Sequence, residues 1–155
     1  MFMVTKSCNL GRLLLLIAMW LPLSALALDP IYTGSFSNKA IHGYDPVAYF
    51  ESNKPKVGKS KHAYKWNGAT WLFSSARNRD AFTKSPEKYA PQYGGYCAWA
   101  VSQGYTASID PEAWYIREGK LYLNFSKSVQ QKWLKDIPGN IKKGDINWPQ
   151  LLARD

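Results

Sequence analysis

Cysteine, histidine and methionine are all scarce in this chain, with two Cys, two His and three Met among 155 residues. One cysteine, Cys8, and all the methionines lie within the first 27 positions, ahead of everything that reads as a folded domain. Cys97 is then the single thiol of the remainder, so no internal disulfide can form there and no C-x-x-C redox motif exists. The histidines, His42 and His62, are too far apart for one turn of helix to carry both, which removes helix-borne metal motifs. Lysine is plentiful but scattered (Lys54, Lys56, Lys59, Lys61, Lys65, Lys84, Lys88, Lys142, Lys143), with no dense basic block and no recognition motif. A nucleic-acid partner is not expected from that pattern, and the Lys54 to Lys65 stretch reads as solvated. Long apolar runs are missing too: Leu13 to Leu21 falls short of the roughly 20 residues a membrane-spanning helix needs, and nothing after Leu28 comes closer.

What is present begins with that short apolar run. Lys6 and Arg12 precede it and Ala25-Leu26-Ala27 follows as an A-x-A cleavage signal, so residues 1–27 read as a secretory signal peptide. Cys8 precedes the run instead of sitting at the cleavage point, so it is not expected to be a lipoprotein anchor and is expected to leave with the signal. The expected product, Leu28 to Asp155, has 128 residues (155 − 27) and a net charge of +7, from 18 basic (20 − 2) and 11 acidic residues. It is expected to be exported, to the periplasm or beyond, with no transmembrane segment. That length suits one domain with a core large enough to need no staple. An unpaired thiol in an oxidising compartment is expected to be buried or ligated.

Residues 28–38 read as an extended leader and 39–152 as the domain. A short strand is expected around Ala40-Ile41, then a helical turn opened by Asp45 with Pro46 at its first position. "ESNKPKVGKSK" reads as a loop. "HAYKWNGATWLFS" reads as a hairpin turning at Asn67-Gly68. Ser74 or Ser75 caps a helix with Ala81 and Phe82 inward, ended by Pro86. Gly94-Gly95 break the chain before Cys97. "AWYIREGKLYLNF" is a second hairpin about Glu118-Gly119-Lys120, with Leu121, Leu123 and Phe125 alternating. Ser126 caps a helix whose Val129, Trp133 and Ile137 form one stripe, and "PGNIKKGDINWPQLL" reads as a turn and a short helix anchored by Ile146, Trp148 and Leu151. No internal repeat is evident. The expected class is α+β, hairpins packed with short helices in one small domain.

"GYDPVAYF", "WLFSSARNRDAFTKSPEKYAPQYGGYCAWA" and "GKLYLNFS" resemble the YHS-domain family, specifically its exported single-domain members, over about residues 39 to 152. The resemblance implies a small α+β fold and, for many members, heavy-metal binding linked to copper handling. In the metal-binding members a cysteine follows the Asp-Pro-Val segment and two more form F-C-x-x-x-C, a soft thiolate set suited to copper(I) or zinc. Here Ala48, Ser74 and Asn78 stand at those positions, so any metal site must be built from other residues.

Cys97, His42 and Asp45 are the candidate metal ligands, a mixed sulfur, nitrogen and oxygen set fit for copper or zinc. The opposing reading packs Cys97 with Ala100, Val101 and Gly104 as a small-residue face. The aromatics, numerous around Gly94-Gly95, are core or the lining of a pocket. Ser74 and Ser75 are caps rather than nucleophiles, and Asp110, Glu112 and Glu118 fall in turns. The expected function is that of an exported, non-enzymatic protein binding a small ligand, a metal ion (copper first, zinc second) by resemblance. The alternative is a non-metal binding or interaction module with an aromatic pocket and a structural Cys97. A thiol-dependent enzyme pairing Cys97 with a histidine comes third.

Overall fold

The computed structural model describes residues 27–34 and 37–154. The signal-peptide reading, Cys8 and part of the leader lie outside the described residues. Six helices and two antiparallel hairpins make an α+β fold: α1 (Pro46–Glu51), β1 (Lys59–Trp66), β2 (Ala69–Phe73), α2 (Ala76–Lys84), α3 (Pro86–Tyr89), α4 (Ala98–Ser102), β3 (Asp110–Arg117), β4 (Lys120–Asn124), α5 (Lys127–Leu134) and α6 (Ile137–Leu152). Two 3-10 turns, Ala40–Gly43 and Gln92–Gly95, precede α1 and α4. Each hairpin is its own two-stranded sheet.

Local chemistry explains most boundaries. Asn67 and Gly68 take left-handed φ angles (47° and 78°), as the tight turn between β1 and β2 requires. Ser75, not Ser74, caps α2 through its side chain and the Asn78 N–H, and Ser126 caps α5 through the Val129 N–H. Pro86 both stops α2 and opens α3 at its first position. The described residues of the leader carry no helix or strand, yet they are pinned: the Tyr32 N–H donates to the Gly94 carbonyl at 2.9 Å. A Cβ on Gly94 would lie 1.9 Å from the Pro30 carbonyl oxygen, so only glycine admits this approach.

Several expectations differ from the structure. Ala40-Ile41 is a 3-10 turn, not a strand, with Ile41 and His42 at φ 42° and 58°. Phe125 lies past the end of β4 and is exposed, because the chain turns there to enter α5. The Val129, Trp133 and Ile137 stripe is divided between two helices. Asp136 caps the second, α6, through the Gly139 N–H, so Pro138 and Gly139 sit in a first helical turn instead of a loop. That helix is long, and Ile146 faces solvent while Leu151 is buried.

The two hairpins are alike in build. The two hairpins share one register: Ala63 opposite Leu72 and Tyr64 opposite Trp71 in the first, Trp114 opposite Leu123 and Tyr115 opposite Tyr122 in the second. The bulge between Lys59 and Ala63 recurs between Asp110 and Trp114. Each hairpin is followed by a serine-capped helix whose buried aromatic, Phe82 or Trp133, packs on it. The stacks match: Trp71 on Phe82 at 5.0 Å and 33°, Tyr122 on Trp133 at 5.1 Å and 35°. Few identical residues carry this likeness, so the sequence hides it. The first hairpin, α1 and α2 enclose the larger core around Trp71, Phe73 and Phe82, and the second cluster joins Tyr93, Tyr96, Tyr122, Trp133 and Leu151.

Candidate functional site

Asp45 is fully buried, an environment carboxylates seldom occupy unless paired. Its partners are hydrogen-bond donors alone. Oδ1 accepts from the N–H groups of Val47 (2.9 Å) and Ala48 (3.3 Å), which caps α1. Oδ2 accepts from the Ser74 N–H (2.8 Å), the Ser74 hydroxyl (2.6 Å) and the Asn78 amide (2.7 Å). Hydrogen bonds to a charged group contribute roughly 1.5–3 kcal/mol each. Asp45 therefore ties the start of α1 to the start of α2, across 29 and 33 residues of sequence.

Ala48, Ser74 and Asn78, the three positions where the resemblance would place cysteines, all border this carboxylate. Their chemistry is inverted: where thiolates would offer electron pairs to a cation, Ser74, Asn78 and the Ala48 backbone offer protons to an anion. Ala48 has no side-chain donor atom at all. The residues present do not fit copper(I) or zinc in this place.

Cys97 is buried at the N-cap of α4. Its Sγ accepts from the N–H groups of Phe125 (3.2 Å) and Ala100 (3.5 Å) and lies 3.9 Å from Asn124 Oδ1. Burial pushes the thiol up from its ordinary range, with the N–H groups of Ala100, Phe125 and Trp99 pulling the other way.

His42 is exposed, and its Nε2 sits 3.4 Å from the Ser108 hydroxyl, which in turn accepts from the Tyr32 hydroxyl at 2.7 Å. The Tyr32 ring meets the imidazole edge-on at 5.3 Å. Holding a β-branched, fully buried Ile41 beside His42 in left-handed conformation is strained, and strain of this kind concentrates at functional sites. His62 lies half-buried on β1, its pKa lowered by lost solvent and by Lys61, Arg79 and Lys59.

Cys97, His42 and Asp45 are thus engaged separately, with Asn124, Ser108 and Ser74 respectively. Among the described residues no three His, Cys, Asp or Glu side chains gather as a cation site, so the expected three-ligand centre is not assembled. The aromatics about Gly94-Gly95 pack on one another: Tyr93 on Tyr122 and Trp148, Tyr96 on Tyr32 and Trp148. Tyr32 and Ser108, absent from the residues singled out in the sequence, are 76 positions apart and carry no local signal.

Among known families, the YHS domain matches this chain over residues 51–93. That span holds β1, β2, α2 and α3, with Ser74 and Asn78 but not Asp45, Ala48 or Cys97. No curated protein and no solved structure matches the chain.

Proposed function

The chain belongs to the YHS-domain family, and from that premise we propose that it is an exported, non-enzymatic binding module whose ligand is not a soft metal ion held at the family's thiolate positions. Asp45 carries this reading. With five donors directed at its two oxygens, it fills with an internal anion the place where the resemblance would put a cation. Cys97, buried and hydrogen-bonded, is structural. Ligand contact falls to exposed His42 with half-buried Tyr32 and Ser108, which offer an imidazole, a phenol ring and a hydroxyl to a small polar or planar molecule. Export rests on the signal-like character of residues 1–27.

The family match is consistent with a second reading, metal binding, in which copper first and zinc second rest on the resemblance alone. It would have to draw on Cys97, His42 or Asp45 after rearrangement of their present hydrogen bonds. Titration of the reduced, tag-free protein with copper and zinc, alongside Cys97→Ser and His42→Ala, separates the two. The proposed reading expects no stoichiometric metal in any sample. One equivalent bound by the parent and lost in either variant would overturn it.

A further inference from the structure

The matching hairpins are part of a longer correspondence. From β1 to α2 the counterparts stand 51 residues apart (Tyr64 and Tyr115, Trp71 and Tyr122, Ser75 and Ser126, Phe82 and Trp133). Upstream they stand 52 apart. Ile41, His42 and Gly43 (φ 42°, 58°, 78°) match Tyr93, Gly94 and Gly95 (φ 55°, 60°, 85°), three successive left-handed residues in each case. Both turns end alike, with the Tyr44 N–H donating to the Ile41 carbonyl and the Tyr96 N–H to the Tyr93 carbonyl. The strings that follow, "GYDPVA" and "GYCAWA", then align Asp45 with Cys97 and Ala48 with Ala100.

We infer that residues 92–134 are a second, diverged copy of the unit at 40–84, and that Cys97 stands in it where Asp45 stands in the first, in a position that accepts an anionic side chain. The hydrogen bonds carry the equivalence. Each residue caps its short helix through the backbone N–H three positions on, Ala48 for Asp45 and Ala100 for Cys97. Each also accepts the first backbone N–H after the hairpin, from Ser74 in one unit and Phe125 in the other. Beside Cys97 the second unit carries Asn124 where the first has Phe73. Asn124, fully buried, turns its Oδ1 toward Sγ and the Trp99 N–H, while its Nδ2 donor has no partner among the described residues. The donors aimed at Sγ, a weak acceptor, are thus the Ala100 and Phe125 N–H groups, counterparts of the Ala48 and Ser74 N–H groups aimed at Asp45.

The duplication extends the reading of the first site. The counterparts of Ala48, Ser74 and Asn78 are Ala100, Phe125 and Val129, so neither copy keeps a soft ligand at the family's cysteine positions. Cys97 aligns with a capping carboxylate and not with any of those cysteines.

Comparison of Cys97→Asp with Cys97→Ala and Cys97→Asn by thermal unfolding, with amide hydrogen exchange on the parent, tests this. The expected result is a folded Cys97→Asp protein melting above the other two variants, and slow exchange at the Ala100 and Phe125 amides comparable with Ala48 and Ser74. A Cys97→Asp protein that unfolds, or melts below the Cys97→Ala protein, would overturn the inference. If all three variants fail to fold, exchange decides: Phe125 and Ala100 amides as fast as those of exposed loops would refute the equivalence.

Discussion

Replacing Asp45 by alanine strips five donors of their acceptor, and the cost can be worked through. Losing the cap of α1 removes about 1 kcal/mol. The Ser74 N–H, within a buried setting, loses a charge-assisted bond worth roughly 1.5–3 kcal/mol, while the Ser74 hydroxyl and Asn78 amide can turn to other partners. Such neighbours are not additive, so the sum is held to about 4 kcal/mol. In a domain of this size that is a fall in Tm of roughly 10–20 °C. Asp45→Asn should recover little, since its Nδ2 must face N–H donors on one side or the other. The assay is chemical denaturation of both variants beside Ser74→Ala and Asn78→Ala, each expected to cost about 1–2 kcal/mol. An Asp45→Asn protein within about 1 kcal/mol of the parent would show that these donors do not serve the carboxylate's charge.

Other perturbations reach other parts of the molecule. Cys97, buried and with its thiol pushed up, should react with a disulfide reagent far more slowly in the native protein than after denaturation, and equal rates would contradict the structure. Tyr96 is pushed up to about 12 by burial, Asp29 and Tyr32, and burial with Asp145 drives Tyr93 higher still. A raised folded pKa contributes stability that is complete below the unfolded value and disappears as pH climbs through the folded one. Alkaline unfolding should therefore set in between pH about 10 and about 12, followed by tyrosinate absorbance, and normal titration of every phenol near 10 would count against it. Gly144→Ala should destabilise the packing of α6, since its Cβ would fall 2.5 Å from the Tyr93 hydroxyl, and a Tm unchanged by the substitution would argue that Tyr93 does not sit there.

Elements written in local chemistry are legible in the sequence. Asn67-Gly68, the cap at Ser126 and Pro46 after Asp45 each depend on neighbouring residues alone. Elements that depend on distant residues are not. Pro138 and Gly139 look like a turn until Asp136 is seen to cap them into α6. Asp45 reads as a metal ligand in the sequence because its proton-donating partners, Ser74 and Asn78, are remote along the chain. The duplication is hidden for the same reason: it is kept in register, φ angles and ring stacking, while Phe73 has become Asn124 and Phe82 has become Trp133.

Whether an internal carboxylate stands where the resemblance would place a cation is decided by rebuilding the thiolate set. The triple variant Ala48→Cys, Ser74→Cys, Asn78→Cys and the parent would be loaded under reducing conditions with zinc and copper(I), then desalted and assayed for bound metal. About one equivalent is expected in the variant and none in the parent. Stoichiometric metal retained by the parent would contradict the account.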